Sequence, residues 1–549
     1  MVKIKNILLI IFTFFAIGSF AQNYLYGYAV EFTDKNNSKY NIDKPLEFLS
    51  QRAIDRRQRM NIQITEQDFP VNSFYTDSII NNITILHTTS KWLNTSVFLT
   101  NNTHFINDNI KLTFVKSIKL VYKGGVYLKQ NNRHSKWENQ ELDSDYYGNS
   151  YSQISMCNAH KLHEKGFKGE GIQIAVLDGG FFNANKISGF DTLFLNNRIL
   201  GTWDFVSHNT NVYDDDSHGM TVLSAIGGNV PYKLVGTAPE ASYYLFRTEN
   251  VSSEYPIEEY NWIAAAEMSD SLGVDIITSS LGYNVFDDAS MNYSYSDMNG
   301  KTTVISIGAE IAFSKGMLVV NSAGNEGNNN WYYLTAPSDA KNVICVGAVD
   351  KNKHISTFSS RGPSADGRIK PDVVTQGVAT TIIMSNGKVG SGSGTSYSCP
   401  VLTGMIACLW QAIPTYSNKQ ILNLVKKYSN RYEMPDNIYG YGIPDFSKAS
   451  FIIDSSVNKE IEECGIEKLY PNPFVDKINF HLKVKNAQDV KIFIYDAKGV
   501  EILTKNIYFN ANSYNLIVLN ELSSLQYGCY YLSVITKEGT LIEKIIKNK

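Results

Sequence analysis

Gly394-Thr395-Ser396-Tyr397-Ser398-Cys399-Pro400 follows a glycine-rich approach, Gly390-Ser391-Gly392-Ser393, and precedes an apolar run from Val401 to Ile413. Val401, Met405, Ile406, Leu409, Trp410 and Ile413 recur at the spacing of one buried helix face. The pattern predicts a flexible loop that becomes a helix at Ser396. The first N–H groups of a helix lack intrahelical partners and favour negative charge. A serine there can attack a carbonyl while nearby donors receive the oxyanion. Pro400 is expected in the first turns, where a missing N–H costs little. Taken alone, Gly-Thr-Ser also describes an ordinary N-cap on a core helix. The reading therefore depends on what the rest of the chain supplies.

Upstream, Ile172 to Leu177 is a short apolar run that suits a buried parallel strand, and it ends in Asp178-Gly179-Gly180. Open α/β sheets place functional groups at the carboxyl ends of such strands. Next comes Asp214-Asp215-Asp216-Ser217-His218-Gly219-Met220. A histidine can take a proton from serine and return it to a leaving amine. Tyr244 to Arg247 reads as a strand, Tyr260 to Leu272 as a helix, and Val274 to Leu281 as a strand ending Ser279-Ser280-Leu281-Gly282. Gly316 to Asn321 leads into Ser322-Ala323-Gly324-Asn325-Glu326-Gly327. Strand Val343 to Val349, Phe358-Ser359-Ser360-Arg361-Gly362-Pro363, Lys370-Pro371-Asp372-Val373 and Gly440-Tyr441-Gly442-Ile443-Pro444 follow. Strands alternating with helices predict a parallel sheet.

These blocks, in this order, resemble the subtilisin-like serine proteases (subtilases, the peptidase S8 family). Their nucleophile pattern is Gly-Thr-Ser-x-Ala/Ser-x-Pro. The order Asp178, His218, Ser396 is also that of subtilisin. The resemblance implies a doubly wound parallel α/β catalytic domain and an endopeptidase that works through an acyl-enzyme intermediate. It implies catalytic roles for Asp178, His218 and Ser396, and an oxyanion role for Asn325 beside the Ser396 amide. It implies peptide binding at Ser280, Leu281, Gly282, Ala323 and Gly324. Around His218 the neighbours Ser217, Met220 and Thr221 depart from the usual family sequence but leave the imidazole in place. The segments at 358–363 and 370–373 are expected to be scaffold. No cofactor is required. Structural calcium is left open, because the three aspartates are consecutive and not alternately spaced as in a calcium loop. They are expected to form a solvated acidic loop. Two rivals share the fold: a peptide-binding pseudoprotease, which would lack a triad or oxyanion residue, and an esterase. None of those residues is missing. A neutral His218 base predicts activity falling on acidification through about 6.5.

The chain of 549 residues is too long for one ordinary core. Its net charge of −3 and lack of a dense Lys/Arg block leave no nucleic-acid footprint. Residues 1–21 read as a signal peptide: Lys3 and Lys5, an apolar core from Ile7 to Phe20, then Ser19-Phe20-Ala21 before Gln22. That core is short for a membrane span, and no other stretch looks transmembrane. Residues 22–130 read as a small α+β unit, with strands at Tyr24–Phe32, Ile79–Leu86, Ser96–Thr100 and Ile118–Leu128. Leu46 to Met60 reads as a helix whose basic stretch, Arg52 to Arg59, is expected to face solvent. Its position resembles a subtilase propeptide. Residues 131–150 read as a polar linker and maturation region, 151–453 as the catalytic domain and 454–467 as a second linker.

Residues 468–549 open with Leu469-Tyr470-Pro471-Asn472-Pro473-Phe474 and read as a small all-β sandwich. Together with Tyr527-Gly528-Cys529-Tyr530-Tyr531 and the basic end, the tail resembles a type IX secretion sorting domain. That implies handling by the type IX machinery and a secreted or cell-surface protein reached through the periplasm. The other expected partners are protein or peptide substrates, and a monomer is expected. The alternative reading of the tail is a carbohydrate- or surface-binding sandwich. None of the six cysteines forms a C-x-x-C pair, so a thiolate zinc site is unsupported. Cys345 and Cys408 are expected in the core, and Cys399 in a packing role. His160 and His163 have H-x-x-H spacing without evident metal partners, and are expected on a surface helix.

Overall fold

The computed structural model describes residues 26–124, 146–448, 464–509, 513–520 and 522–548. The expected signal peptide, most of the maturation region and most of the second linker lie outside them. The chain divides into two units, one spanning residues 15–448 and the other holding residues 449–549.

In the first unit, Tyr28, Val30 and Phe32 alternate along β1 (Tyr26–Phe32) and enter a small core with Tyr75, Ile79, Phe98, Phe105 and Val115. Helix α1 (Gln51–Arg59) starts at Ser50, whose hydroxyl accepts from Ala53 N–H. Three further strands, β2 (Thr84–Ser90), β3 (Thr95–Thr100) and β4 (Val115–Lys123), complete an antiparallel sheet ordered β2-β3-β1-β4. The expected helix over 46–60 is thus shorter, because Pro45–Glu47 forms a separate 3₁₀ turn. The strand expected at 79–86 lies a few residues later. Ile79 is needed in the core under the turn that precedes it.

The part expected to be catalytic holds β5 (Gln173–Asp178), β6 (Ile199–Asp204), α2 (His218–Gly227), β7 (Ser242–Arg247), α3 (Ile257–Leu272), β8 (Ile276–Ser279), α4 (Val304–Ser314), β9 (Leu318–Ser322), β10 (Ile344–Val349) and β11 (Val373–Gln376). Seven of these elements are strands of one sheet, ordered β11-β10-β9-β8-β5-β7-β6. Every pair in it is parallel. Buried on both faces, the strands carry near-continuous apolar runs, as parallel sheets do. The order turns back beside β5, and such a reversal opens a crevice at the carboxyl ends of the strands. Asp178 is the last residue of β5.

A hairpin, β12 (Thr380–Ile383) with β13 (Val389–Gly392), leads to α5 (Thr395–Ala412), and α6 (Asn418–Lys427) follows. The glycine-rich approach is therefore a strand and not a free loop, since pairing with β12 satisfies its backbone. Pro400, expected in the first turns, is the sixth residue of α5 and lies in its second turn.

The second face of the N-terminal sheet is closed by α3. Ala29, Val97 and Val121 pack against Tyr255, Ile257 and Tyr260. The Glu267 carboxylate of α3 accepts from Ser90 Oγ (2.5 Å), Lys91 N (2.8 Å) and Trp92 N (2.9 Å), pinning the turn between β2 and β3. The basic helix corrects the expectation of a solvated face. Arg56 and Arg57 are each 1% exposed. Arg57 pairs with Asp68 (2.9 Å) and with Asp270 (2.7 Å) of α3, and Arg56 with Asp270 (2.5 Å). Lys315 reaches Asp68 at 2.9 Å, and Arg52 pairs with Asp275. Burial alone would raise the Asp68 carboxyl, but Arg57 and Lys315 together hold its pKa below the ordinary range.

In the second unit, β14 (Gly465–Tyr470), β15 (Ile478–Val484) and β18 (Ser513–Leu519) form one sheet, and β16 (Gln488–Asp496), β17 (Glu501–Phe509), β19 (Gly528–Thr536) and β20 (Gly539–Lys547) another. Ile478, Phe480, Leu482 and Val484 alternate inward along β15 and meet Val490, Ile492 and Ile494 of β16 in one core. This is the expected all-β architecture.

Candidate active site

Asp178 is 1% exposed, and its Oδ1 accepts from His218 Nδ1 at 2.8 Å. Its backbone is held by Thr248 N–H, which donates to Asp178 O at 3.0 Å. Two features of sequence place the imidazole opposite it. His218 is the first residue of α2, and its N–H donates to Asp216 Oδ1 at 2.7 Å. Gly219 lets the helix start lie against β5, because a β-carbon there would come within 2.7 Å of Asp178 Cβ. With Nδ1 bound to the carboxylate, the basic nitrogen of a neutral ring is Nε2.

Ser396 is the second residue of α5, half-buried, with no partner for its N–H among the described residues. The sequence sets this geometry through Pro400. The carbonyl four residues earlier loses its helical donor when proline follows, and that carbonyl is Ser396 O. Ser280 Oγ–H supplies the missing bond at 3.0 Å. The expected substrate strand and the expected nucleophile are thereby joined. The neighbouring Tyr397 ring lies 6.3 Å from the His218 ring, and its hydroxyl is 3.5 Å from Thr221 Oγ1 of α2.

Asn325 is exposed, yet its orientation is fixed. Thr395 N–H (2.9 Å) and Oγ1–H (3.0 Å) both donate to Asn325 Oδ1. A backbone N–H can only donate, so the oxygen faces the helix and Nδ2 faces away. A β-carbon built on Gly394 would lie 3.7 Å from Ser396 N and 3.8 Å from Asn325 Nδ2. It would lie equally far, 3.8 Å, from Asn325 Oδ1, so the Asn325 amide as a whole borders the start of α5.

The remaining expected residues follow the carboxyl ends of β8 and β9. Leu281 O accepts from Asn321 Nδ2 at 2.9 Å. Ala323 is fully buried, its N–H donating to Val346 O, and Gly324 sits at φ +100°, where a side chain would be strained. Beneath Gly282 and Gly324 lies Thr335, a residue that no sequence signal marked beyond its place before Ala336-Pro337. Asp216 was legible only as part of an acidic run.

The acidic run does not converge on one point. Asp214 accepts from Asn211, Asp215 pairs with Arg247 at 3.0 Å, and Asp216 caps His218. Among the described residues one trio, Glu249, Glu254 and Glu258, brings its carboxylates within 4.8 Å of one another. Glu249 is pushed up to about 8 by burial and then by Glu254, and Glu258 is raised well above the usual range by burial and then by Glu249, so this cluster favours protons.

Cys399 is fully buried, and burial pushes its thiol up to about 12. It packs against Ser279 O and Val320 O, as expected of a structural thiol and unlike a nucleophile. None of the six cysteines is in a disulfide. His163 corrects the surface-helix expectation. It is buried, with Tyr147 OH 3.0 Å from Nδ1 and Thr237 O 3.0 Å from Nε2. No helix among the described residues is long and apolar enough to cross a membrane.

Comparison with known proteins agrees with this architecture. Residues 169–442 match the subtilase family, residues 27–140 the peptidase S8 propeptide domain of Bacteroidota, and residues 468–548 a secretion system C-terminal sorting domain. Subtilisin E of Bacillus subtilis is 27% identical over 318 residues, covering 56% of this chain and 74% of that protein. Serine protease AprX of the same organism is 28% identical over 304 residues, covering 50% of this chain and 65% of AprX. Subtilisin-like protease SBT6.1 of Arabidopsis thaliana is 29% identical over 283 residues, which cover 49% of this chain and 24% of the plant protein. The three family matches together span most of the sequence. The chain belongs to the subtilase family of serine endopeptidases, as a propeptide-bearing member that its sorting domain directs through type IX secretion to the cell surface or the medium.

Proposed function

We propose that Ser396 is the nucleophile, His218 the base and Asp178 the residue that orients and stabilises the imidazolium. The observation that carries this reading is the 2.8 Å bond between His218 Nδ1 and the buried Asp178 carboxylate. In the proposed cycle Ser396 Oγ bonds to the scissile carbonyl carbon and its proton passes to His218 Nε2. The oxyanion is received by Ser396 N–H and Asn325 Nδ2. Collapse breaks the C–N bond, and the proton passes from His218 to the departing amine. Water then repeats the sequence on the acyl-enzyme and frees Ser396. Ser280, Leu281, Gly282, Ala323 and Gly324 would hold the peptide backbone along the crevice. Glycines there permit close approach of a second backbone.

The test compares the full chain with Ser396→Ala in casein breakdown and in inhibition by a fluorophosphonate. The expected result is fluorophosphonate-sensitive breakdown that is lost in the variant. Equal activity in both proteins would overturn the assignment.

A further inference from the structure

The crevice between residues 280–282 and 323–325 has an unusual floor. Tyr283 and Ala336 pair through two backbone bonds, Tyr283 N–H to Ala336 O (2.9 Å) and Ala336 N–H to Tyr283 O (3.2 Å). That pairing fixes Thr335 next to Gly282. Thr335 is 2% exposed. A β-carbon on Gly282 would overlap the Thr335 hydroxyl, and one on Gly324 would lie 3.1 Å from it. The Thr335 side chain thus spans the gap between the two segments. Ser360, fully buried, completes the floor, its Oγ accepting from Glu326 N–H at 2.9 Å. Thr335 Oγ1 itself has no hydrogen-bond partner among the described residues.

Ser280 is bonded to Ser396 O and Asn325 to Thr395, so the two walls flank the proposed nucleophile. On the Ser396 reading, the side chain adjoining the attacked carbonyl would enter between these walls, over Thr335. We propose that Thr335 closes this pocket, so that the enzyme selects peptides with glycine, alanine or serine on the carbonyl side of the cleaved bond. The proposal rests on the Ser396 reading above. Leucine or phenylalanine there would have to displace a side chain locked by backbone pairing. A single methylene in a pocket discriminates by about 10–200-fold, so an aromatic ring should be excluded more strongly.

The experiment uses the mature enzyme and a peptide series differing only at that residue: alanine, serine, leucine and phenylalanine. The expected kcat/KM for alanine exceeds that for phenylalanine by about 10²-fold or more. Thr335→Gly should move the ratio toward phenylalanine by at least about tenfold, with Thr335→Ser between it and the wild type. Thr335→Val fills the same volume without the hydroxyl and should keep the preference for alanine. A ratio of two substrates on one preparation does not depend on how much of a variant folds. A wild-type preference for phenylalanine or leucine, or a ratio unmoved in Thr335→Gly, would overturn the proposal. All comparisons run beside Ser396→Ala. Cleavage that persists in that variant overturns the serine reading, whereas Ser396-dependent cleavage favouring phenylalanine overturns the pocket alone.

Discussion

Asn325 turns Oδ1 toward Thr395, which leaves Nδ2 as the end that the proposal above assigns to the oxyanion. Asn325→Asp keeps an acceptor for Thr395 but replaces the donor with a negative oxygen. It should leave the melting temperature near the wild-type value while lowering kcat by about 10²–10³, the order that loss of this donor has in subtilisin and not a quantity derived from the distances above. Steady-state kinetics with a parallel melt checks both halves, and an unchanged kcat would contradict the role. His163 makes a different prediction. Burial holds its pKa down to about 4, so the unfolded chain takes up the proton first. Its stabilisation is complete above the unfolded value of about 6.5 and is lost as pH falls from there toward 4. In the Ser396→Ala background, urea midpoints at neutral and mildly acid pH should differ, and His163→Gln should shrink that difference. At this scale, the pairing of His218 with Asp178 was legible because each sits in a local motif. His163 was not, because the groups that bury it, Tyr147 and Thr237, are set by the fold and not by the H-x-x-H spacing.

Helix α1 illustrates what charge patterning hides. Arg52, Arg56, Arg57 and Arg59 look like a solvated face within their own segment. Two of them are buried because Asp68 and Asp270, the second more than 200 residues away, meet them under the N-terminal sheet. Arg57→Ala leaves Asp68 with Lys315 alone, and Asp270 with Arg56 and the more distant Lys91. Breaking a buried pair from one side costs about 3–5 kcal/mol, and the loss should depend little on salt because buried pairs are weakly screened. Urea unfolding of the full chain carrying Ser396→Ala checks this, and a change no larger than an exposed pair gives, about 0–1 kcal/mol, would contradict it. The same lesson applies to α5. Its apolar stripe was readable in Val401, Met405, Ile406, Leu409 and Trp410, all buried. The glycine-rich approach concealed a strand, because only β12 reveals where its backbone bonds go. Pro400 lies in the second turn of α5, and the carbonyl that its missing N–H leaves free, Ser396 O, accepts from Ser280 just past β8.

Across the whole molecule the sequence blocks gave the parallel sheet, the antiparallel N-terminal sheet and the β-sandwich tail, since each has its own periodicity. What they did not give is how the N-terminal sheet docks. That interface depends on Glu267 reaching the turn at residues 90–92 and on Tyr255, Ile257 and Tyr260 facing Ala29, Val97 and Val121. Ile257, Tyr260 and Glu267 lie on α3, the helix between β7 and β8, and Tyr255 lies just before it, so the propeptide-like sheet covers an element that leads directly into the expected substrate strand. The account stands or falls on three side chains from β5, α2 and α5 acting as one relay. Its most direct test is peptide mapping by mass spectrometry after reaction with a fluorophosphonate, for the wild type, Asp178→Asn and His218→Ala. The account predicts a single adduct, on Ser396, whose rate of formation collapses in both variants. An adduct on another residue, or labelling of Ser396 that is equally fast without His218, would contradict it.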